Sequence, residues 1–235
     1  MSRGDDLATR YARRAALGDR YSILRPEVQC MLMERQRATL DLLATQAGKP
    51  LAELRAVEVG CGSGGNLLDL LRWGLRPERL CGIELLPERA AESRAVLPQA
   101  LRLIEGDATT AHIAPASQDL VLAFTVFSSL LDDTTQHALA LAMWRWLAPG
   151  GAVLAYDFAV DNPRNRDVRG VPLARWAELF PEGTPLVRRV TLAPPLARAA
   201  CRLSPRLYPL LNALPLLRTH RLLRIAKPAS TARLP

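Results

Sequence analysis

The stretch Val57-Glu58-Val59-Gly60-Cys61-Gly62-Ser63-Gly64-Gly65-Asn66-Leu67 constrains this chain more than any other. It reads as a buried strand with an acidic residue near its end, then a glycine loop, then the start of a helix. Gly60, Gly62 and Gly64 at alternate positions let the backbone turn sharply and leave amides open that a Cβ would block. Glu58 sets a carboxylate beside that loop, where a phosphate is repelled and a cation is attracted. The combination points to a positively charged, adenosine-containing cofactor. The glycines alone leave a second option open, because Gly60, Gly62 and Gly65 also satisfy the G-x-G-x-x-G of a nicotinamide-binding domain.

The order of elements around this loop sets the fold class. Apolar spacing predicts a helix over 27–47, ending at Gly48 and Pro50. Strands are expected at 56–59, 80–85, 101–105, 119–126 and 151–158, with helices at 66–73, 87–96 and 134–147 between them. Strands alternating with helices in this way make a parallel, doubly wound sheet. After Pro163 the pattern changes to a helix at 173–180 and strands at 186–192 and 220–226. Between those two strands, residues 193–217 form an apolar, proline-rich insert with spaced arginines, expected to be a helical hairpin or lid over the edge of the sheet.

Two more acidic positions choose between the cofactors. Glu84 closes the second strand, 20 residues after Gly64, where a carboxylate can accept hydrogen bonds from both hydroxyls of a ribose. Asp107, in Gly106-Asp107-Ala108 after the third strand, can accept from an adenine amino group while the next backbone N–H reaches a ring nitrogen. Leu147-Ala148-Pro149-Gly150-Gly151 then leads into the fifth strand. Over residues 50–160 this set resembles the class I S-adenosylmethionine-dependent methyltransferases. The resemblance implies an α/β, Rossmann-like, seven-stranded and mostly parallel sheet with a reversed final strand, and S-adenosyl-L-methionine as methyl donor. It implies an N-terminal helical cap over 1–50 and a methyltransferase domain over 51–235, with 193–217 as its lid. It also implies that Glu58 and the backbone of Gly60, Cys61, Gly62 and Gly64 hold the methionine end of the cofactor. Glu84 then takes the ribose, Asp107 and Ala108 the adenine edge, and Leu85 the adenine face. Phe124 and Thr125 fall near the sulfonium, with plain core packing the alternative for Phe124.

A narrower resemblance runs through Tyr156-Asp157-Phe158, Asn162-Pro163-x-Asn165, Val168-Arg169-Gly170, the 189–198 stretch and Leu217-Arg218-Thr219-His220. It is to a bacterial methyltransferase subgroup of glycan and secondary-metabolite gene sets. Asp157, at the carboxyl edge of the sheet, can take a proton from an acceptor hydroxyl, and His220 is the other candidate base. Tyr156, Asn162, Arg164, Asn165 and Arg169 can grip polar or anionic groups, and the asparagines can equally cap the loop by local hydrogen bonds. Tyr11 and Tyr21, with Arg25, precede the first long helix. Tyr21 can touch donor or acceptor there, or simply pack. His112 and His137 read as surface residues.

Composition narrows the partners. Of the net charge of +8, residues 1–163 supply −3 and residues 164–235 supply +11. The basic C-terminal third suits an acceptor with an anionic or lipid part, met at a membrane surface, though an ordinary amphipathic lid reads the same way. No aromatics interleave with its arginines as a nucleic-acid surface would have, so RNA stands second and a protein acceptor with it. A short-chain nicotinamide reductase would need Tyr-x-x-x-Lys, and no tyrosine here has lysine four residues on. The four cysteines are scattered, with no metal-ligand spacing. No signal peptide or membrane span is legible, so a cytoplasmic, membrane-peripheral enzyme is expected. Methyl transfer to a hydroxyl of a small-molecule, glycan or lipid-linked acceptor is the function this sequence favours.

Overall fold

The computed structural model describes residues 9–10, 21–45, 48–161, 165 and 167–229. After helix α1 (Pro26–Leu43) come β1 (Ala56–Val59), α2 (Gly65–Arg72), β2 (Leu80–Glu84), α3 (Pro87–Val96), β3 (Arg102–Glu105), β4 (Gln118–Phe124), α4 (Asp133–Trp146) and β5 (Leu147–Phe158). Then follow α5 (Leu173–Leu179), β6 (Thr184–Leu192), α6 (Pro194–Leu203), α7 (Leu207–Asn212) and β7 (Arg218–Ala226).

The strands form one seven-stranded sheet in the order β3-β2-β1-β4-β5-β7-β6. The first five are mutually parallel, and β7 is inserted antiparallel between β5 and β6. Strand alternation sorts the core into two layers. Val57, Val121, Val153 and Leu223 face α4 and α5, packing on Met143, Trp146 and Trp176. Ala56, Leu120, Leu154 and Leu222 face the opposite way, onto Leu42 and Leu43 of α1 and Leu67 and Leu70 of α2. Glu58 stands on the α1/α2 face, one residue from Val57 and Val59 on the other.

Two segments depart from the expectation. The chain passes from α4 straight into β5, with no loop at Pro149-Gly150-Gly151. A register shift between Gln118 and Leu120 takes up the proline, and Gly150 (φ +79°) and Gly151 are tied to Lys227 after β7. The insert at 193–217 folds into two helices beside the edge strand β6, and none of its residues walls the cleft as a lid would. Ala197, Cys201 and Tyr208 pack on Leu192 and on Cys30 and Met31 of α1, in a third, smaller core.

Leu223 lies fully buried at the centre of the larger core. Leu223→Ala should cost about 2–5 kcal/mol of stability, from lost burial plus an unfilled cavity. Denaturant unfolding followed by circular dichroism checks it.

Candidate active site

The glycine loop is built as its spacing requires. Gly60, Gly62 and Gly64 all adopt positive φ (+63°, +59° and +86°), which L side chains rarely tolerate. Gly62 N–H donates to Glu84 Oε2 at 2.8 Å and Leu86 N–H to Glu84 Oε1 at 3.0 Å, so the second strand's carboxylate is clamped against the first loop. Ser93 Oγ, from α3, donates to Gly62 O at 2.6 Å. A Cβ on Gly62 would stand 2.5 Å from the Arg89 guanidinium. Asp107 is held at its own turn by Thr109 N–H and Oγ1, each at 2.8 Å.

Glu58 is fully buried behind this loop. Asn66 Nδ2 donates to its Oε1 at 2.6 Å, and Arg35 Nη2 donates to Asn66 Oδ1 at 2.9 Å. Burial pushes the Glu58 carboxyl up to about 7; the Asn66 bond and the Arg35 charge pull it down, and Glu84 and Asp69 push it up. Its Oε2 is buried with no hydrogen-bond partner among the described residues. Arg35 also lies 5.5 Å from the ring centroids of both Phe124 and Tyr156, held over their faces.

A cleft of about 750 Å³ opens at the carboxyl ends of the parallel strands, within the range of roughly 300–1,000 Å³ that small-molecule sites occupy. One end is walled by Gly60, Cys61, Gly62, Glu84, Leu85, Asp107 and Ala108. The other is walled by Phe124, Thr125, Val126, Leu130, Phe158 and Val168, with the hydroxyls of Ser128, Ser129 and Thr135 and the amide of Asn165. Tyr21 and Arg35 reach in from the N-terminal side. Thr125 has φ +58°, its N–H donating to Tyr156 O at 2.6 Å, so a strained residue stands where the two ends meet. Arg10 ties the far wall together, its Nη1 donating to Ser129 O at 2.9 Å and to Asp167 O at 3.0 Å.

Residues 57–155 match the family described as methyltransferase domain. Residues 57–155 therefore carry a methyltransferase domain, set in the seven-stranded sheet of the class I S-adenosylmethionine-dependent enzymes. Several solved structures share the fold at low identity. One from Haloferax volcanii, described as a complex between the Trm112 methyltransferase activator and a methyltransferase, is 17% identical, with TM-score 0.62 over 89% of this chain and 97% of that one. An S-adenosylmethionine-dependent methyltransferase from Mesorhizobium loti is 17% identical, with TM-score 0.57 over 82% and 100%. Phosphoethanolamine N-methyltransferase 2 of Haemonchus contortus, solved with S-adenosyl-L-methionine, is also 17% identical, with TM-score 0.58 over 82% of this chain and 52% of that one. A search of curated proteins gave no match.

S-adenosylmethionine is the methyltransferase's cofactor, which closes the nicotinamide option that the glycines left open. The site fits it. A partnerless carboxylate oxygen behind the loop suits a cation, and two further carboxylates spaced along one wall suit a ribose and an amino group.

Of the residues the sequence points to, Gly60, Cys61, Gly62, Glu84, Leu85, Asp107, Ala108, Phe124, Thr125, Tyr21 and Asn165 line the cleft. Glu58 and Gly64 do not reach the wall: Glu58 is buried behind the loop, and Gly64 caps α2 against Leu97. Both proposed bases are off it. Asp157 is buried with Oδ2 accepting from Ser128 N–H and Oδ1 from Phe158 N–H, both at 3.1 Å, so its lone pairs brace the 127–129 turn. Burial raises its carboxyl to about 7 while those hydrogen bonds pull down. The His220 ring is stacked at 4.9 Å on Tyr156 and packed at 4.2 Å against Phe158. Burial, with a smaller push from Arg35, lowers it to about 3, which leaves it a poor proton acceptor. Tyr156 is buried with its hydroxyl on Thr191 Oγ1, and Arg169 is ion-paired to Asp133. His112 and His137 are exposed. Tyr11, Asn162 and Arg164 lie outside the described residues.

Arg35, Asn66, Arg10 and the two serines are the contributors that sequence reasoning missed. Asn66 alone carried a signal, as the first polar residue of a helix that follows an acid-tipped strand.

Removing a working general base costs roughly 10²–10⁴ in rate. His220→Phe should keep kcat within about tenfold, because the aromatic stack survives and no proton passes through the ring. Steady-state assays with labelled S-adenosylmethionine check this.

Proposed function

We propose that this methyltransferase methylates an oxygen of a small or lipid-linked acceptor, at a hydroxyl acidic enough to ionise without help from the protein. The acceptor end of the cleft carries the reading. It is apolar with scattered hydroxyls, it has the Arg35 cation at one side, and none of its described lining residues is a carboxylate or an imidazole. A sugar hydroxyl needs a base to attack, and both candidates, Asp157 and His220, are turned away. A phenol or enol brings its own oxyanion, which Arg35 attracts. A lipid-linked form of such an acceptor agrees with the basic C-terminal third and with membrane-peripheral contact.

In this reading Glu58 lends negative charge from behind the loop to the cationic methionine end of the cofactor, with the backbone from Gly60 to Gly64 in front of it. Glu84 accepts from the ribose hydroxyls with the lone pairs left free by Gly62 and Leu86. Asp107 and Ala108 take the adenine edge, and Leu85 its face. Phe124 and Thr125 flank the reacting centre. When bound, S-adenosylmethionine supplies a methyl group on a positively charged sulfur, already activated for in-line displacement. The cleft's task is to exclude water and to align the acceptor oxygen, which is worth more here than acid–base chemistry.

A phenol series of graded acidity should be methylated with kcat/KM rising as the phenol ionises, while a methyl glycoside is not turned over. Turnover of the glycoside with a bell-shaped pH profile would sink the reading. Arg35→Leu should raise the phenolate KM about 10- to 100-fold at saturating cofactor, the loss expected for one charge-assisted contact.

Cofactor affinity should rise from about pH 5.5 to about pH 7.5. A cation favours the ionised Glu58 carboxylate, whose ordinary range is exceeded in the free protein, so binding releases its proton. Glu58→Gln should weaken binding about tenfold and flatten that dependence. Calorimetry in two buffers of different ionisation enthalpy counts the proton.

A further inference from the structure

The last acidic residue of the chain is Glu182; the 53 residues after it hold nine arginines, one lysine and no Asp or Glu. The α6–α7 hairpin stands in this stretch. Its inner side is used up, with Ala197, Cys201 and Tyr208 packed toward α1 and the Tyr208 hydroxyl donating to Glu34 Oε2 at 2.8 Å. Its outer side is apolar and open. Leu203 is 82% exposed, Leu210 67%, Leu214 54% and Leu216 89%. Arg202 and Arg206 are exposed among them.

Soluble surfaces mix both signs of charge and scatter their leucines. A short element exposing leucines, prolines and positive charge with no acid among them has the make-up of one that lies in a membrane interface, leucines at the acyl boundary and guanidinium groups among anionic headgroups. A second copy of this chain is a poor occupant, because a twofold contact sets the patch against itself with no negative charge to offset it. Single-stranded RNA is a poor one too. It stacks on exposed aromatics, and the hairpin's aromatic residue, Tyr208, is buried.

We propose that the outer face of the α6–α7 hairpin docks the protein on an anionic lipid bilayer. α1 joins that face to the reaction site, since Cys30 and Met31 pack against the hairpin while Arg35 lines the cleft. The surface names the partner for the lipid-linked acceptor inferred above and rests on that reading for its purpose. The binding step itself needs neither acceptor nor turnover.

The full chain is sedimented with vesicles of phosphatidylglycerol and phosphatidylcholine, and with vesicles of phosphatidylcholine alone. Binding to the anionic vesicles only is expected. A Leu203→Asp/Leu216→Asp variant should bind them at least about tenfold more weakly while keeping its melting temperature and its S-adenosylmethionine affinity. Arg202→Glu/Arg206→Glu should lose the preference for anionic lipid. The proposal is overturned if the wild type stays in the supernatant, or if the leucine variant binds as well as the wild type. It is equally overturned if light scattering shows a dimer that the leucine variant splits, or if single-stranded RNA competes the protein off the vesicles at stoichiometric concentration. Vesicle binding without phenol turnover would sink the acceptor reading and leave this one standing.

Discussion

The burial of the Glu58 carboxylate is the constraint on which this site depends. Taking a carboxylate out of water costs several kcal/mol unless hydrogen bonds and charge answer it. Here the answer is partial. Asn66 covers one oxygen, Arg35 lends charge through Asn66, and the other oxygen has no partner among the described residues. The loop, the first turn of α2 and the middle of α1 are thus tied to one group. An incompletely satisfied acid at the root of a glycine loop is poised to favour a cation, and the chemistry of the family's cofactor supplies one.

Most of the fold was legible because its signals are local. Four or five apolar residues closed by glycine or an acid read as parallel strands, and β1 and α3 fall where the sequence placed them. The acids at the ends of β1 and β2 and after β3 were legible for the same reason. The far side of the cleft was not. Arg35 and Arg10 come from segments with no motif, and they reach their partners across 31, 119 and 157 residues.

Asp157 and His220 show a different limit. Each sits on a strand near the carboxyl edge of the sheet, which is where bases are sought. Position along a strand does not say which way a side chain turns or what is already there. Asp157 meets the backbone N–H groups of the 127–129 turn, and His220 lies among Tyr156 and Phe158. Both are parts of the support, and a rule reading only strand ends cannot separate them from groups that face the cleft.

Glu34 gives the order in which this machinery can come together. Its two oxygens accept from Thr191 N–H and the Tyr208 hydroxyl, 157 and 174 residues away. The helix that presents Arg35 is therefore anchored by segments made long after it, β6 and α7, and β7 must slot between β5 and β6 for β6 to join the sheet. N-terminal segments are made first, and contacts so distant in sequence form late. A nascent chain can complete its glycine loop with β1, α2, β2 and α3 alone. The arginine that answers Glu58 waits for β6 and α7.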